Sequence, residues 1–456
     1  MIKKITEQVF QRVGSKRIVG LLYVAAIVFI SFRNLTLPWG DLFADGGFYS
    51  HYNNYIIFKQ SFFHLIAHKD LYIHYPLEQY DLFKYPPTFA LLFAPFSMLP
   101  DFLGYSTWTA LNLLLPVFAI YKLQGISGRA KGAMSTLLLL EGYTSALNSQ
   151  SNGLMLGLLL FAFVSLQKGR IVQAIIFIWL TAFIKLFGIL FFAMLLVFPG
   201  AFKKSLFNIP LIFGALYILP LPILGWEGLQ RQYASMFNLL AHDHGYFVKY
   251  SVMGWLQQWF GLRPNKNLIL MLGLGLQCIP LLVFIIKEKL WRSGLLEQIN
   301  SKSLERWQSL FAASWLLWMV IFNHMAESAT YVIAVGGAML ALSQIRFMNN
   351  ADFEPAKNTQ LDNVWNNPID SVNQSNNAVQ NGSWHRYVNS QNSPWIAAFI
   401  MMFLFTMLGP TDIYPKEVRF WIVETAQLKA FPCILLWGLT LFHLIRFIDL
   451  RGPSIA

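Results

Sequence analysis

Apolar residues run along this chain in long blocks separated by short polar or basic breaks. A bilayer's hydrocarbon core is about 30 Å thick and takes about 20 apolar residues per helix. On that measure the blocks predict about twelve spans. They lie near 17–33, 104–122, 132–147, 151–167, 171–185, 186–200, 206–224, 267–287, 307–323, 328–345, 394–410 and 429–447. The expected fold class is therefore an all-α polytopic membrane protein. Two stretches break the pattern. Residues 38–101 are polar and rich in aromatics, and residues 225–266 carry a polar centre, HDHGYFVKYS, between ends that read as amphipathic interfacial helices.

Basic residues orient the blocks. With the N-terminus inside, most of the 34 lysines and arginines fall on the cytoplasmic side, as the positive-inside bias requires. Both termini are then cytoplasmic, and 36–103 and 225–266 are outer loops. The same count decides residues 86–100. As a span they would reverse every later loop and turn the basic breaks outward. Prolines 86, 87, 95 and 100 agree with a short helix along the outer surface, because proline breaks or kinks helices.

Composition narrows the class. The 456 residues are 56% hydrophobic and 12% charged, against about 25% charged in soluble domains. The net charge of +12 is scattered between apolar blocks, so it argues for topology and against nucleic-acid binding. Cys278 and Cys433 lie inside predicted spans and give no disulfide framework and no zinc pattern. MIKKITEQVFQRVGSKR ahead of the first span reads as an uncleaved signal anchor.

Polar groups inside a membrane are costly, so chemistry is expected where spans meet outer loops. Asp41 and Asp45 are candidate general bases for a hydroxyl, or helix N-caps for the stretch around 48–59. Glu141, inside a span, faces either a cavity or a partner helix. Gln150 and Asn152 occupy a short outer turn. Lys185, among apolar neighbours, either snorkels or meets an anion such as phosphate. His324 and Glu327 are three apart and share a helix face or cap a span; one His and one Glu do not make a zinc motif. GxGxxG, Walker and GxSxG signals are absent.

ADGGFYSHYNNYI, AHKDLY, YPPTFALLFAPFSMLP and YSTWTALNLLL together resemble the start of glycosyltransferase family 87. The matching positions are Asp45 with Tyr49, Leu71-Tyr72, Tyr85-Pro86-Pro87 with Pro100, Trp108, and Leu111-Asn112. SQSNGLMLGLLL resembles the family's Gly-Gln-x-Asn turn, with Ser149 in place of Gly. AFIKLFGILFF resembles its Lys-x-x-Pro element, with Gly188 in place of Pro. KYSVMGWL and FNHMAESATY resemble its later segments. The likeness implies a GT-C-type bundle with amphipathic outer-surface helices in the first large outer loop. It implies an inverting transfer of a hexose, such as mannose, from a polyprenyl-phosphate sugar to a lipid- or glycan-linked acceptor at the outer face. Asp45 would be the base, and Lys185 and His324 would hold the donor phosphate. Asp41, Tyr49, Tyr85, Gln150, Asn152 and Glu327 would line the pocket. No metal ligand set is indicated.

Three parts are expected: a catalytic core over 1–345, a polar, mobile cytoplasmic insert over 346–393, and C-terminal membrane helices over 394–456. The expected setting is the cytoplasmic membrane, with the site facing the periplasm or exterior. Competing functions are a flippase for lipid-linked sugars, which would carry matched halves that are not visible here, and a non-catalytic subunit of an envelope glycan assembly.

Overall fold

The computed structural model describes residues 15–38, 40–41, 48–242, 248, 250–292, 301–345, 393–411 and 413–447. Of the insert expected over 346–393, all but Ser393 therefore lies outside the described residues.

α1 (Lys16–Thr36) opens with Ser15 as N-cap, its hydroxyl accepting from Ile18 N. One stripe, Val19, Tyr23, Ile30 and Asn34, is buried; Leu21, Val24, Val28 and Phe32 face outward. An apolar outer face suits lipid contact. A short antiparallel pair follows, β1 (Gly40–Asp41) and β2 (Phe48–Tyr49), with Gly40 opposite Tyr49. Next comes α2 (Asn53–Ile66), then α3 (Pro87–Leu92) and α4 (Ala94–Ser97). Each of the last two helices has a proline in its first turn, and neither is long enough to cross a bilayer.

The bundle continues through α5 (Asp101–Lys122), α6 (Gly128–Leu147), α7 (Asn152–Gln167) and α8 (Ile171–Ala182), then a tighter 3-10 run, Leu186–Leu196. α9 (Ala201–Ser205), α10 (Asn208–Tyr217), α11 (Leu221–His242) and α12 (Val252–Phe260) lead into the long α13 (Lys266–Arg292). α14 (Ser301–Ile321), a 3-10 turn at Ser328–Thr330 and α15 (Tyr331–Ser343) follow. The last part is α16 (Ser393–Met401) running into a π turn, Met402–Met407, then α17 (Lys416–Phe420) with a second π turn, Trp421–Thr425, and α18 (Phe431–Phe447).

Every predicted span overlaps a helical element, but the structure does not confirm twelve crossings. Three of the described helices are long and apolar enough to cross: Lys16–Thr36, Asp101–Lys122 and Lys266–Lys289. A fourth is added if Ala201–Tyr217 and Leu221–His242, bent by 93°, form one broken span. Six more apolar helical stretches among the described residues are shorter, whereas α6 and α14, at 20 and 21 residues, are long but more polar. The predicted boundary at 224/225 falls on Gly225, whose φ of 65° breaks the helix within α11.

α14 and α15 form the centre; every residue of α15 and all of 307–321 are buried. The C-terminal helices pack onto them. The Trp307 indole donates to Leu444 O at 3.0 Å, and that of Trp437 to Gln277 Oε1 at 2.8 Å.

The two polar stretches, 38–101 and 225–266, are stitched together. Gln232 of α11 accepts from Leu71 N (3.1 Å) and donates to Lys69 O (2.7 Å). Ser235 donates to the Asp70 carboxylate at 2.8 Å. These bonds bring residues 69–71 and 232–235 together. Leu71-Tyr72 and Tyr85-Pro86-Pro87 also meet, through Tyr72 OH donating to Tyr85 O at 2.9 Å.

Candidate active site

Three turns converge at the loop-bearing end: 148–151 between α6 and α7, 183–185 after α8, and 322–330 between α14 and α15. The first is fixed from α5. Ser149 takes a left-handed φ of 56°, and its carbonyl accepts from the Trp108 indole at 2.9 Å. A helix start leaves its first N–H groups without partners. Ser151, the N-cap of α7, makes no side-chain cap bond. Asn112 supplies one from the neighbouring helix, its Oδ1 accepting from Leu154 N at 2.9 Å. Gly153 makes the approach possible, since a Cβ there would stand 2.2 Å from Asn112 O.

The second turn presents Lys185. Its N–H donates to Thr181 O at 2.9 Å, and Gly188 N to Lys185 O at 3.0 Å. A Cβ on Gly188 would meet Thr181 Cγ2 at 2.7 Å and Ala182 N at 3.0 Å. Glycine thus stands where the family pattern has proline because this turn folds back tightly on α8.

The polar side chains form one chain. Lys185 Nζ donates to Asn152 Oδ1 at 2.9 Å. Asn152 Nδ2 donates to Gln150 Oε1 at 2.5 Å. Gln150 Nε2 donates to the Glu327 carboxylate. Asn152 is fully buried and Glu327 is exposed, so the chain runs from the interior to an open face. Lys185 points inward and does not snorkel. An ammonium has three donors and Asn152 takes one, which leaves capacity for an anion's oxygens. Glu327 also closes a capping box, its carboxylate accepting from Thr330 N while Glu327 N donates to Thr330 Oγ1 at 3.2 Å. The cap alternative for Glu327 is therefore present, alongside its part in the chain.

Tyr85 stands beside Ser151 and the Glu327 carboxylate. Burial, the largest influence, pushes its phenol well above the ordinary 10, so it remains a neutral donor. His324 is half-buried in the 322–330 turn, three residues before Glu327. Asp41 and Tyr49 contribute backbone to the β1–β2 pair. Asp45 lies outside the described residues. The N-cap position of α2 belongs to Tyr52, so neither aspartate occupies it. The chain leaving β2 is pinned near Gln150: Asn54 Nδ2 donates to Asn148 O at 2.8 Å, and Asn34 bridges His51 O and Leu147 O.

Glu141 meets the turn that precedes α18. Its Oε1 accepts from Lys429 Nζ at 2.8 Å, with both side chains fully buried. Lys429 also donates to Ser328 Oγ at 2.8 Å. Sequence reading missed Lys429, because a lysine at the start of a span looks like an interfacial residue. Among the described residues no three His, Cys, Asp or Glu side chains group as metal ligands. A cavity of about 300 Å³, lined by Val197, Phe198, Lys203, Phe284 and Glu288 among others, lies at a different place and touches none of these groups.

Residues 83–288 match the model of glycosyltransferase family 87. No curated protein matches the chain. A solved structure, that of ArnT from Cupriavidus metallidurans bound to undecaprenyl phosphate, is similar at 14% identity with a TM-score of 0.35, covering 94% of this chain and 77% of that one.

Proposed function

We propose, from the match of residues 83–288 to the model of glycosyltransferase family 87, that this chain belongs to that family and moves a hexose, mannose first among the candidates, from a polyprenyl-phosphate donor to a lipid- or glycan-linked acceptor. The setting proposed is the outer face of a cytoplasmic membrane, in a GT-C-type bundle. The observation that carries the reading is the Lys185–Asn152–Gln150–Glu327 chain, which joins three separate turns and holds a lysine among buried amides.

In this scheme an acceptor hydroxyl attacks the anomeric carbon from the face opposite the phosphate. Asp45 takes the hydroxyl proton. The bond between the anomeric carbon and the phosphate oxygen breaks, its electron pair stays on that oxygen, and polyprenyl phosphate leaves. Inversion follows from the single displacement. Leaving-group charge grows along the reaction, so cations fixed beside it lower the barrier; Lys185 and His324 fill that role. Asn152 aims Lys185, and Gln150 and Glu327 fix Asn152. Tyr85 supplies a neutral hydroxyl for the sugar.

Binding of sugar-free polyprenyl phosphate to the purified protein in nanodiscs tests the phosphate assignment. Lys185→Met is expected to weaken binding about tenfold or more, the loss of one charge-assisted contact being worth roughly 1.5–3 kcal/mol. Undiminished binding in that variant would remove Lys185 from the phosphate site.

A further inference from the structure

Resting on the site reading above, we propose that Lys429 is a positioning residue for it, and that the C-terminal helices thereby set the geometry of a site whose family match ends at residue 288. Lys429 Nζ lies 2.8 Å from Glu141 Oε1 and 2.8 Å from Ser328 Oγ. It also stands 5.2 Å from the centre of the Tyr331 ring. Three parts of the fold meet at this ammonium: α6 through Glu141, the 3-10 turn and the start of α15 through Ser328 and Tyr331, and the segment before α18 through Lys429 itself. The junction is held from the far side as well. Lys429 O accepts from Thr406 Oγ1 at 2.8 Å, and Tyr331 OH donates to Tyr250 O at 2.8 Å.

Ser328 follows Glu327 directly. The carboxylate of Glu327 is held from one side by Gln150, and the backbone that carries it is held from the other by Lys429 through Ser328. A buried ion pair is a costly way to gain stability; apolar replacements often do as well or better. Its retention at this place is explained by orientation. Glu141 neutralises Lys429, and Lys429 spends a further donor on the turn that ends the polar chain. Glu141 Oε2 makes no hydrogen bond, so the carboxylate is engaged through one oxygen only and serves chiefly to hold the lysine.

The test uses the full chain in nanodiscs and two readouts, amide exchange over 323–330 and the kinetics of transfer from polyprenyl-phosphate mannose. Ser328→Ala leaves the Glu141–Lys429 pair intact. It is expected to keep the thermal midpoint, to raise exchange at 327–330, and to raise KM for the donor about tenfold with kcat little changed, as loss of uniform donor binding would. Ser328→Thr keeps the hydroxyl and restores both values. Lys429→Met strands a buried carboxylate and is expected to destabilise the protein. Glu141→Leu with Lys429→Met recovers the fold but keeps the raised KM. Unchanged exchange and KM in Ser328→Ala, or a normal KM in the double variant, overturns the proposal. If the wild type transfers nothing from the lipid donor, the function fails and the exchange data alone decide the positioning.

Discussion

Gly153→Ala separates helix propensity from packing, because the two predict opposite signs. Gly153 is the second residue of α7, and alanine in a helix is favoured over glycine by about 1 kcal/mol. Packing opposes the change. The added Cβ would lie 2.2 Å from Asn112 O, 3.0 Å from its carbonyl carbon and 3.3 Å from its Cα, all of it backbone. Reaching an ordinary contact needs a shift of about 1 Å between α5 and α7. Such overpacking costs about 1–3 kcal/mol. The 2.9 Å bond from Leu154 N to Asn112 Oδ1 would stretch past useful length, adding roughly 1 kcal/mol. The expected net effect is a loss of about 1–3 kcal/mol. Asn152, one residue away, would move relative to Lys185, and a 1 Å misplacement costs up to about 100-fold in rate. Gly438→Ala is the control, since it lies within exposed α18 surface and a Cβ there meets nothing within 4 Å. Thermal unfolding in detergent and donor-dependent transfer are measured on both. A Gly153→Ala protein as stable and active as Gly438→Ala would refute the claim that this contact sets the turn.

Ser149→Gly relieves a left-handed φ of 56° and removes only a long 3.4 Å bond to Tyr105 OH; a gain of about 0.5–1 kcal/mol is expected in unfolding experiments. Gly188→Ala drives a Cβ into Thr181 and Ala182, so transfer should fall while Thr181→Ala added to it recovers only part, because backbone atoms remain at 3.0 Å. His64 of α2 bonds Glu78 at 2.8 Å, and burial, the largest influence, holds its pKa below the ordinary 6.5 despite Glu78. The unfolded chain then binds the proton more readily, so stability is full above pH 6.5 and falls as pH drops below it toward the folded value. Thermal midpoints from pH 7.5 to 5.5 check this, and His64→Gln should flatten the slope.

Much of the bundle was legible because lipid and backbone hydrogen bonding together demand long apolar helices. The proline-rich 86–100 stretch could be read as non-spanning for the same reason. Crossing number was less legible, since Leu186–Leu196 is as apolar as its neighbours yet forms a tight run, and nothing in its composition signals that. At the site, Gln150, Asn152, Lys185 and Glu327 each stood out as polar residues at span ends. Their linkage did not, because Gln150 and Glu327 are 177 residues apart. Asn112 and Lys429 act across helices, one as a remote cap and one as a buried cation, and neither role leaves a local pattern. Gly188 shows the reverse: its departure from the family pattern became intelligible only once Thr181 was seen beneath it.

The central claim is transfer from a lipid-phosphate sugar with Asp45 as base. Its most direct test is the initial rate of label transfer from polyprenyl-phosphate mannose in proteoliposomes, comparing wild type with Asp45→Asn. Transfer by the wild type and a loss of about 100-fold or more in the variant is predicted, as for a lost general base. Equal rates in the two proteins, or activity confined to nucleotide-sugars, would contradict it.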